Sequence, residues 1–159
     1  MRLVNPVASF ALPLLGRGAR LEWSLPSGAQ SRMAASPPTP QVVVVSDNPE
    51  TIDGLQGYFV GVGIQACSAR SLGSEDAVPA GTTALVVFPD EFPMPEIVEE
   101  LVALREEQPG LLLLLVTAHP QHFVALSRDG RPAHPIVLPK PVFGWIIVDA
   151  IRMHAQGVS

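Results

Sequence analysis

Residue types that mark several protein classes are scarce in this chain of 159 residues. Cys67 is the only cysteine, so the chain cannot form an internal disulfide, and a reducing compartment is the simpler interpretation. The longest unbroken apolar run, 111–116, is too short to cross a bilayer. We therefore expect a cytoplasmic protein with no membrane partner.

Basic residues are also few over most of the chain, although the net charge is only −5. The first 40 residues hold four arginines and one glutamate, whereas residues 41–159 hold six basic and 14 acidic residues. The single lysine is Lys140. Because an acidic domain repels a phosphate backbone, we expect no nucleic-acid binding by residues 41–159.

The composition changes near residue 40. Pro, Gly, Ser, Ala and Arg dominate residues 1–40, which is typical of a disordered or linker arm. The apolar stretch 7–15 has some signal-peptide character, but Pro6 and Pro13 interrupt it and no good cleavage site follows. We expect one folded domain at 41–157.

Residues 41–157 alternate between apolar runs and segments of helical period. The apolar runs predict strands at 42–46, 64–69, 84–88, 111–116 and 135–138. The periodic segments predict helices at 49–61, 95–108, 120–128 and 142–156. Continuous rather than alternating apolar runs indicate strands buried on both faces. The pattern predicts a flavodoxin-like, doubly wound α/β fold whose five parallel strands have the order 2-1-3-4-5.

Residues that can do chemistry follow four of the predicted strands. They are Ser46 at the end of the first strand and Asp47 after it, Pro89 and Asp90 after the third, Thr117 at the end of the fourth, and Lys140 after the fifth. The carboxyl ends of parallel strands lie at one edge of a sheet. We therefore expect an acid, a hydroxyl and an amine to converge in one crevice there.

Residues 41–157 resemble the receiver domain of two-component response regulators. The matching segments are Ser46-Asp47-Asn48-Pro49, Pro93, Thr117-Ala118 and Leu138-Pro139-Lys140-Pro141. The resemblance implies an aspartate after the third strand that accepts a phosphoryl group, and two acids after the first strand that hold Mg²⁺ with it. It also implies that the threonine and the lysine take the phosphoryl oxygens, because charge on the transferring group must be neutralised.

The phosphoryl pocket that the resemblance implies is degenerate. Ser46 stands at the first acid position, and Pro89, four residues before Pro93, stands at the acceptor position. Because Mg²⁺ would lose two of its three carboxylates, we expect no metal and no cofactor; if Mg²⁺ does bind, Asp47 is its ligand. Asp90 is the alternative phosphoacceptor, but side chains alternate along a strand, so Asp90 should point away unless the strand tip is bulged.

The other residues of the pocket also depart from a working switch. We expect Lys140 to form a structural salt bridge with Asp47, and Thr117 to hydrogen-bond locally at the strand end. Receivers usually carry an aromatic residue three positions before the lysine, and here that position is Val137. A phosphorylation-driven rotamer switch therefore lacks two of its parts.

The last predicted helix suggests a binding surface. Its apolar stripe consists of Phe143, Ile146, Ile147, Ala150 and Ile151. Trp145 and Arg152 fall on the opposite side, and an outward tryptophan beside an arginine is typical of a binding hot spot. The alternative is that Trp145 covers a neighbouring loop or the N-terminal arm. We expect an interface with Val137 on the surface formed by the predicted segments 120–128, 135–138 and 142–156.

Together these observations predict an atypical receiver domain that is not an enzyme. It would act by protein–protein interaction in bacterial signal transduction, independently of phosphorylation. Because the sequence ends soon after its last predicted helix, we expect a protein partner in trans, either a histidine kinase, another signalling protein or a second copy. The alternatives are a single-domain phosphorelay receiver phosphorylated on Asp90 with Mg²⁺, and a small-molecule-sensing flavodoxin-like domain.

Overall fold

Five parallel strands form one sheet in the computed structural model, which describes residues 39–128 and 134–157. The strands are β1 (Gln41–Val45), β2 (Gln65–Ala69), β3 (Ala84–Val87), β4 (Leu112–Thr117) and β5 (Ile136–Pro139). Their spatial order is β2-β1-β3-β4-β5, and each neighbouring pair is parallel. The predicted fold class is confirmed. The predicted arm lies outside the described residues, apart from Thr39 and Pro40.

Four α-helices accompany the strands within the described ranges. They are α1 (Pro49–Gly61), α2 (Met94–Glu107), α3 (Val124–Ser127) and α4 (Gly144–Gly157). The predicted helix 120–128 is divided, because a 3₁₀ turn at Pro120–Phe123 precedes α3. Residues 70–83 contain turns and no helix. None of the helices in these ranges combines the length and the apolar character needed to cross a membrane.

Helix α1 begins directly at the tip of β1, and local chemistry explains both of its ends. The Asn48 side chain accepts hydrogen bonds from the N–H groups of Glu50 and Thr51, so it caps the helix. Pro49 occupies the first turn, where its missing N–H costs nothing. At the other end Gly63 has φ of 81°, a conformation that suits glycine and turns the chain into β2.

The core consists of two clusters, one on each face of the sheet. Strand β1 shows the division, because its side chains alternate between the clusters: Val42 and Val44 in the first, Val43 and Val45 in the second. Phe59 of α1 and Ile151 of α4 complete the first cluster. Leu101 of α2 and Phe123 complete the second. Helices α1 and α4 therefore cover one face, and α2 and α3 cover the other.

The start of α4 departs from the predicted apolar stripe. Phe143 was expected to point inward but is 65% exposed, because α4 begins only at Gly144 and the helical period does not extend back to Phe143. Ile147 and Ile151 are buried as expected, and Trp145 is 56% exposed. Two large aromatic side chains therefore face solvent at the start of this helix.

Candidate functional site

The chain changes direction abruptly where β3 ends. The N–H of Phe88 donates to the carbonyl of Val45 at 3.0 Å, which extends the ladder between β1 and β3 by one residue. Pro89, which is buried, then opens a 3₁₀ turn that runs to Glu91. Successive side chains in a 3₁₀ turn are about 120° apart rather than 180°. The alternation of the strand therefore stops at Pro89, in the position that the resemblance assigns to the acceptor.

The Pro89–Glu91 turn brings Asp90 into the crevice. One carboxylate oxygen of Asp90 accepts a short hydrogen bond from the Thr117 hydroxyl, and the other accepts from the N–H of Ala118 at 2.7 Å. The Lys140 ammonium lies 3.3 Å from that second oxygen. The expectation that Asp90 points away is wrong, because it assumed strand geometry at a residue that belongs to a turn. The side chain of Asp90 is only 17% exposed.

The surroundings of Asp90 favour its ionised form. Burial raises the pKa of the Asp90 carboxyl group, but hydrogen bonds from Thr117 and Ala118 and the proximity of the Lys140 ammonium oppose that effect. The net result is a pKa below the ordinary value for aspartate. Asp90 is therefore a carboxylate at neutral pH, held by one hydroxyl, one amide and one ammonium group.

Lys140 pairs with Asp90 rather than with Asp47. Its backbone N–H donates to the Thr117 carbonyl at 2.9 Å, and its ammonium lies 5.6 Å from the centre of the Phe88 ring. Asp47 instead forms a 2.9 Å ion pair with Arg70, and both side chains are about 60% exposed. The predicted Lys140–Asp47 salt bridge is wrong, because β2 neighbours β1 and the residue that follows β2 reaches Asp47 first.

Glu91 is a site residue that the sequence did not indicate. Its Oε2 atom accepts from the Ser46 hydroxyl at 2.6 Å and from the Asp47 N–H at 2.7 Å. Ser46 is fully buried, and its Oγ also accepts from the N–H of Asn48 at 3.0 Å. The turn that starts at Pro89 places Glu91 beside the tip of β1. The alternation of side chains along a strand could not predict this contact, because Glu91 does not belong to the strand.

The side chains at the sheet edge do not fit the Mg²⁺ ion that receiver domains hold. Ser46 contributes a hydroxyl that donates to Glu91, while the Asp47 carboxylate faces Arg70. The Asp90 oxygens face three hydrogen-bond donors. Mg²⁺ needs converging oxygen acceptors in octahedral geometry, and these carboxylates diverge. Within residues 39–128 and 134–157 no three His, Cys, Asp or Glu side chains form a group that could hold a metal.

The three predicted interface residues do not share one surface. Val137 is partly buried in the cluster with Phe123, on the sheet face covered by α2 and α3. Arg152 donates to the Val62 carbonyl at 3.1 Å, so that side of α4 faces the end of α1. Trp145 lies seven residues earlier, about 20° around the helix, and therefore on the same side. The expected grouping of Val137 with Trp145 and Arg152 is wrong, because the sheet separates them.

A shallow groove runs between α1 and the start of α4, next to the pocket. Its apolar lining consists of Leu55, Tyr58, Phe88, Val142 and Ile147. Gly144 allows the close approach here, because a Cβ atom at that position would lie 2.9 Å from the Tyr58 ring. The groove is the feature that the small-molecule alternative would use.

The sheet order is that of flavodoxin-like folds, and solved structures of receiver domains share the fold of this chain. One is a CheY-like response regulator receiver domain protein from Methanospirillum hungatei JF-1, which is 16% identical to this chain. The alignment covers 76% of this chain and 96% of that protein, with a TM-score of 0.62. The non-phosphorylated HemR receiver domain from Leptospira biflexa is 14% identical. Its alignment covers 74% of this chain and 95% of the HemR domain, with a TM-score of 0.60.

A further solved structure with this fold is a sensor protein from Polaromonas sp. JS666. It is 18% identical, covers 77% of this chain and 100% of its own, and has a TM-score of 0.57. No protein-family model and no curated protein sequence matches this chain. The chain therefore has the fold of response regulator receiver domains, with a sequence far from those of the similar structures.

Proposed function

We propose that this chain is a non-enzymatic signalling module of receiver fold that binds a protein partner and acts without phosphoryl transfer. The observation that carries the proposal is the position of the Asp90 carboxylate. It already accepts from the Thr117 hydroxyl and the Ala118 N–H and is paired with Lys140. In receivers the threonine and the lysine take the oxygens of the phosphoryl group, so the groups that would stabilise that group here hold Asp90 instead.

Phosphoryl transfer to Asp90 would require most of these contacts to be undone. A carboxylate that attacks phosphorus needs one oxygen free, in line with the leaving group. It also needs cations and donors aimed at the other phosphoryl oxygens, since such catalysis is largely electrostatic. Here both Asp90 oxygens are engaged, and Asp47 faces Arg70 instead of the crevice.

A direct test is intact-mass measurement after incubation with a small phosphodonor and Mg²⁺. We expect no mass increase in the wild-type chain, because no side-chain set holds the metal and Asp90 is engaged. A wild-type adduct of one phosphoryl group that is absent from Asp90→Asn would overturn the proposal. An established receiver domain in the same reaction mixture shows that the phosphodonor is active.

The second candidate function is a receiver that is phosphorylated on Asp90. One observation favours it: Asp90 is ionised and lies 3.3 Å from the Lys140 ammonium, the group that would neutralise a phosphoryl oxygen. For this function the Pro89–Glu91 turn would have to move so that Asp90 withdraws from Thr117. The same mass measurement decides between the two functions, because only this one predicts the adduct.

The proposed partner surface lies at the start of α4. Phe143 and Trp145 are both more than half exposed, and Tyr58 of the adjacent α1 is 39% exposed. Exposed aromatic side chains are enriched at protein interfaces because they bury a large area at low entropic cost. This surface replaces the one expected around Val137, and its partner would be another signalling protein or a second copy of the chain.

A further inference from the structure

We propose that the Pro89–Glu91 turn is a tethered plug, in which the Asp90 carboxylate occupies an anion-binding site built from the Thr117 hydroxyl, the Ala118 N–H and the Lys140 ammonium. The site would accept a free oxyanion such as inorganic phosphate once the Asp90 carboxylate is removed. This inference rests on the proposed function, because a pocket that exchanged phosphoryl groups would have to release Asp90.

The first argument for the plug is the convergence of three donors on one carboxylate. Thr117 is fully buried, and its hydroxyl and the Lys140 ammonium come from neighbouring strands, β4 and β5. The Thr117 Oγ also accepts from the N–H of His119 at 2.9 Å, which fixes the direction in which its proton points. A hydroxyl, an amide and an ammonium aimed at one point form an anion site.

The second argument is that the turn is held from both sides. Glu91 binds the β1 tip through the Ser46 hydroxyl and the Asp47 N–H, while Asp90 binds the tips of β4 and β5. Inside the turn, the N–H of Phe92 donates to the Pro89 carbonyl at 3.2 Å. Two carboxylates on consecutive residues therefore satisfy donors from three strand tips, which no single side chain could do.

The third argument concerns competition with free anions. A group held on a short tether acts at an effective concentration of roughly millimolar or more. The Asp90 carboxylate is also ion-paired with Lys140 and only 17% exposed. We therefore expect free phosphate below this effective concentration to leave Asp90 in the wild-type site, whereas it meets no competitor when Asp90 is alanine.

The test compares thermal unfolding of the full chain with and without inorganic phosphate, against sodium chloride of equal ionic strength. We expect the midpoint of Asp90→Ala to rise by about 4 °C when phosphate is about five times its dissociation constant. The wild-type midpoint should change by less than about 1 °C. The double variant Asp90→Ala/Lys140→Ala, which lacks the cation of the site, should show no phosphate effect.

Equal phosphate effects in Asp90→Ala and the double variant would overturn the plug, as would a wild-type shift as large as that of Asp90→Ala. If Asp90→Ala does not fold, the Ala118 amide resonance of the wild-type chain provides the readout. It should move when the carboxylate is protonated by acid and stay in place on addition of phosphate; movement with phosphate at neutral pH contradicts the plug. If phosphate does not stabilise Asp90→Ala and the wild type is not phosphorylated, only the plug is refuted. A phosphoryl adduct on the wild type refutes the proposed function.

Discussion

Pro89 and Asp90 are consecutive residues, and the conformation of the backbone determines which of the two side chains reaches the crevice. Pro89 cannot supply a nucleophile, but its fixed φ favours the first position of a turn. The turn rotates Asp90 toward Thr117 and Glu91 toward Ser46. The proline that removes the acceptor therefore also provides the geometry by which the next two acids occupy the pocket.

At this scale we predict that Asp90→Ala lowers the free energy of unfolding by about 1–3 kcal/mol. The substitution leaves a buried hydroxyl, an amide and an ammonium without their shared acceptor, and unsatisfied donors are costly. Urea unfolding of both proteins measures the difference. Asp149→Ala, an exposed aspartate on α4, is the matched control and should stay within about 0.5 kcal/mol of wild type.

The stabilisation by Asp90 should disappear in acid. Its pKa in the folded chain lies below the ordinary value, so the folded state favours the ionised form and the unfolded chain binds the proton more readily. The contribution is therefore complete above the unfolded pKa and is lost as the pH falls through the folded pKa. The measurement is the unfolding free energy of wild type and Asp90→Ala between about pH 7 and about pH 3. A difference that stays constant over this range contradicts the prediction.

The sequence was sufficient to predict which side chains lie close together where their positions depend only on the ends of strands. Thr117 and Lys140 come together because β4 and β5 are parallel neighbours, which the order of apolar runs implied. Asp90 and Glu91 could not be placed in this way, since their directions depend on a three-residue turn rather than on the strand. The Arg70–Asp47 pair was missed because the segment after β2 carries no periodic pattern.

At the scale of elements, continuous apolar runs predicted β1, β3 and β4, which are almost entirely buried. The two outer strands, β2 and β5, are partly exposed, and β2 is of mixed polarity, so burial on both faces was wrong for them. The strand order followed from the predicted fold class. The helices were predicted where a cap and a period agree, as in α1 with Asn48 and Pro49. The prediction of one helix at 120–128 was wrong, because Pro120 begins a 3₁₀ turn and only Val124–Ser127 is α-helical. Its apolar spacing could not distinguish one helix from two short elements.

The start of α1 offers a test of local capping. Asn48→Ala should reduce the unfolding free energy by about 1 kcal/mol, because the N–H groups of Glu50 and Thr51 lose their acceptor. Asn48→Asp keeps an acceptor oxygen beside the positive end of the helix dipole and should remain near wild type. Chemical denaturation followed by far-ultraviolet circular dichroism measures both variants. Equal losses in the two variants contradict a capping role.

At the scale of the whole molecule, the sheet separates two surfaces that the sequence had grouped. Val137 belongs to the cluster under α2 and α3, whereas Trp145 lies on α4 on the other side. Helical period alone placed Trp145 outward, and this is what the structure shows. The period could not tell which neighbouring element that side of α4 faces, which here is α1.

We predict that Trp145→Ala reduces the affinity for the protein partner by at least about tenfold, as expected for a hot-spot tryptophan. Immobilised wild-type and variant chains, with bound proteins quantified by mass spectrometry, measure the loss. Met153→Ala is the control, since Met153 lies on the same helix and is 72% exposed but stands about two turns away. Equal recovery of every partner by wild type and Trp145→Ala removes this surface from the proposed function.

The pairing of Lys140 with Asp90 gives the chain a built-in chemical reporter. Lys140 is the only lysine, so besides the terminal amine it is the one primary amine that an acylating reagent can modify. Its ammonium is ion-paired with Asp90 and its side chain is only 35% exposed, so the closed pocket restricts the approach of the reagent. The acylation rate of a single position therefore reads out whether the pocket is closed or open, in the unlabelled wild-type chain and without any knowledge of its partner.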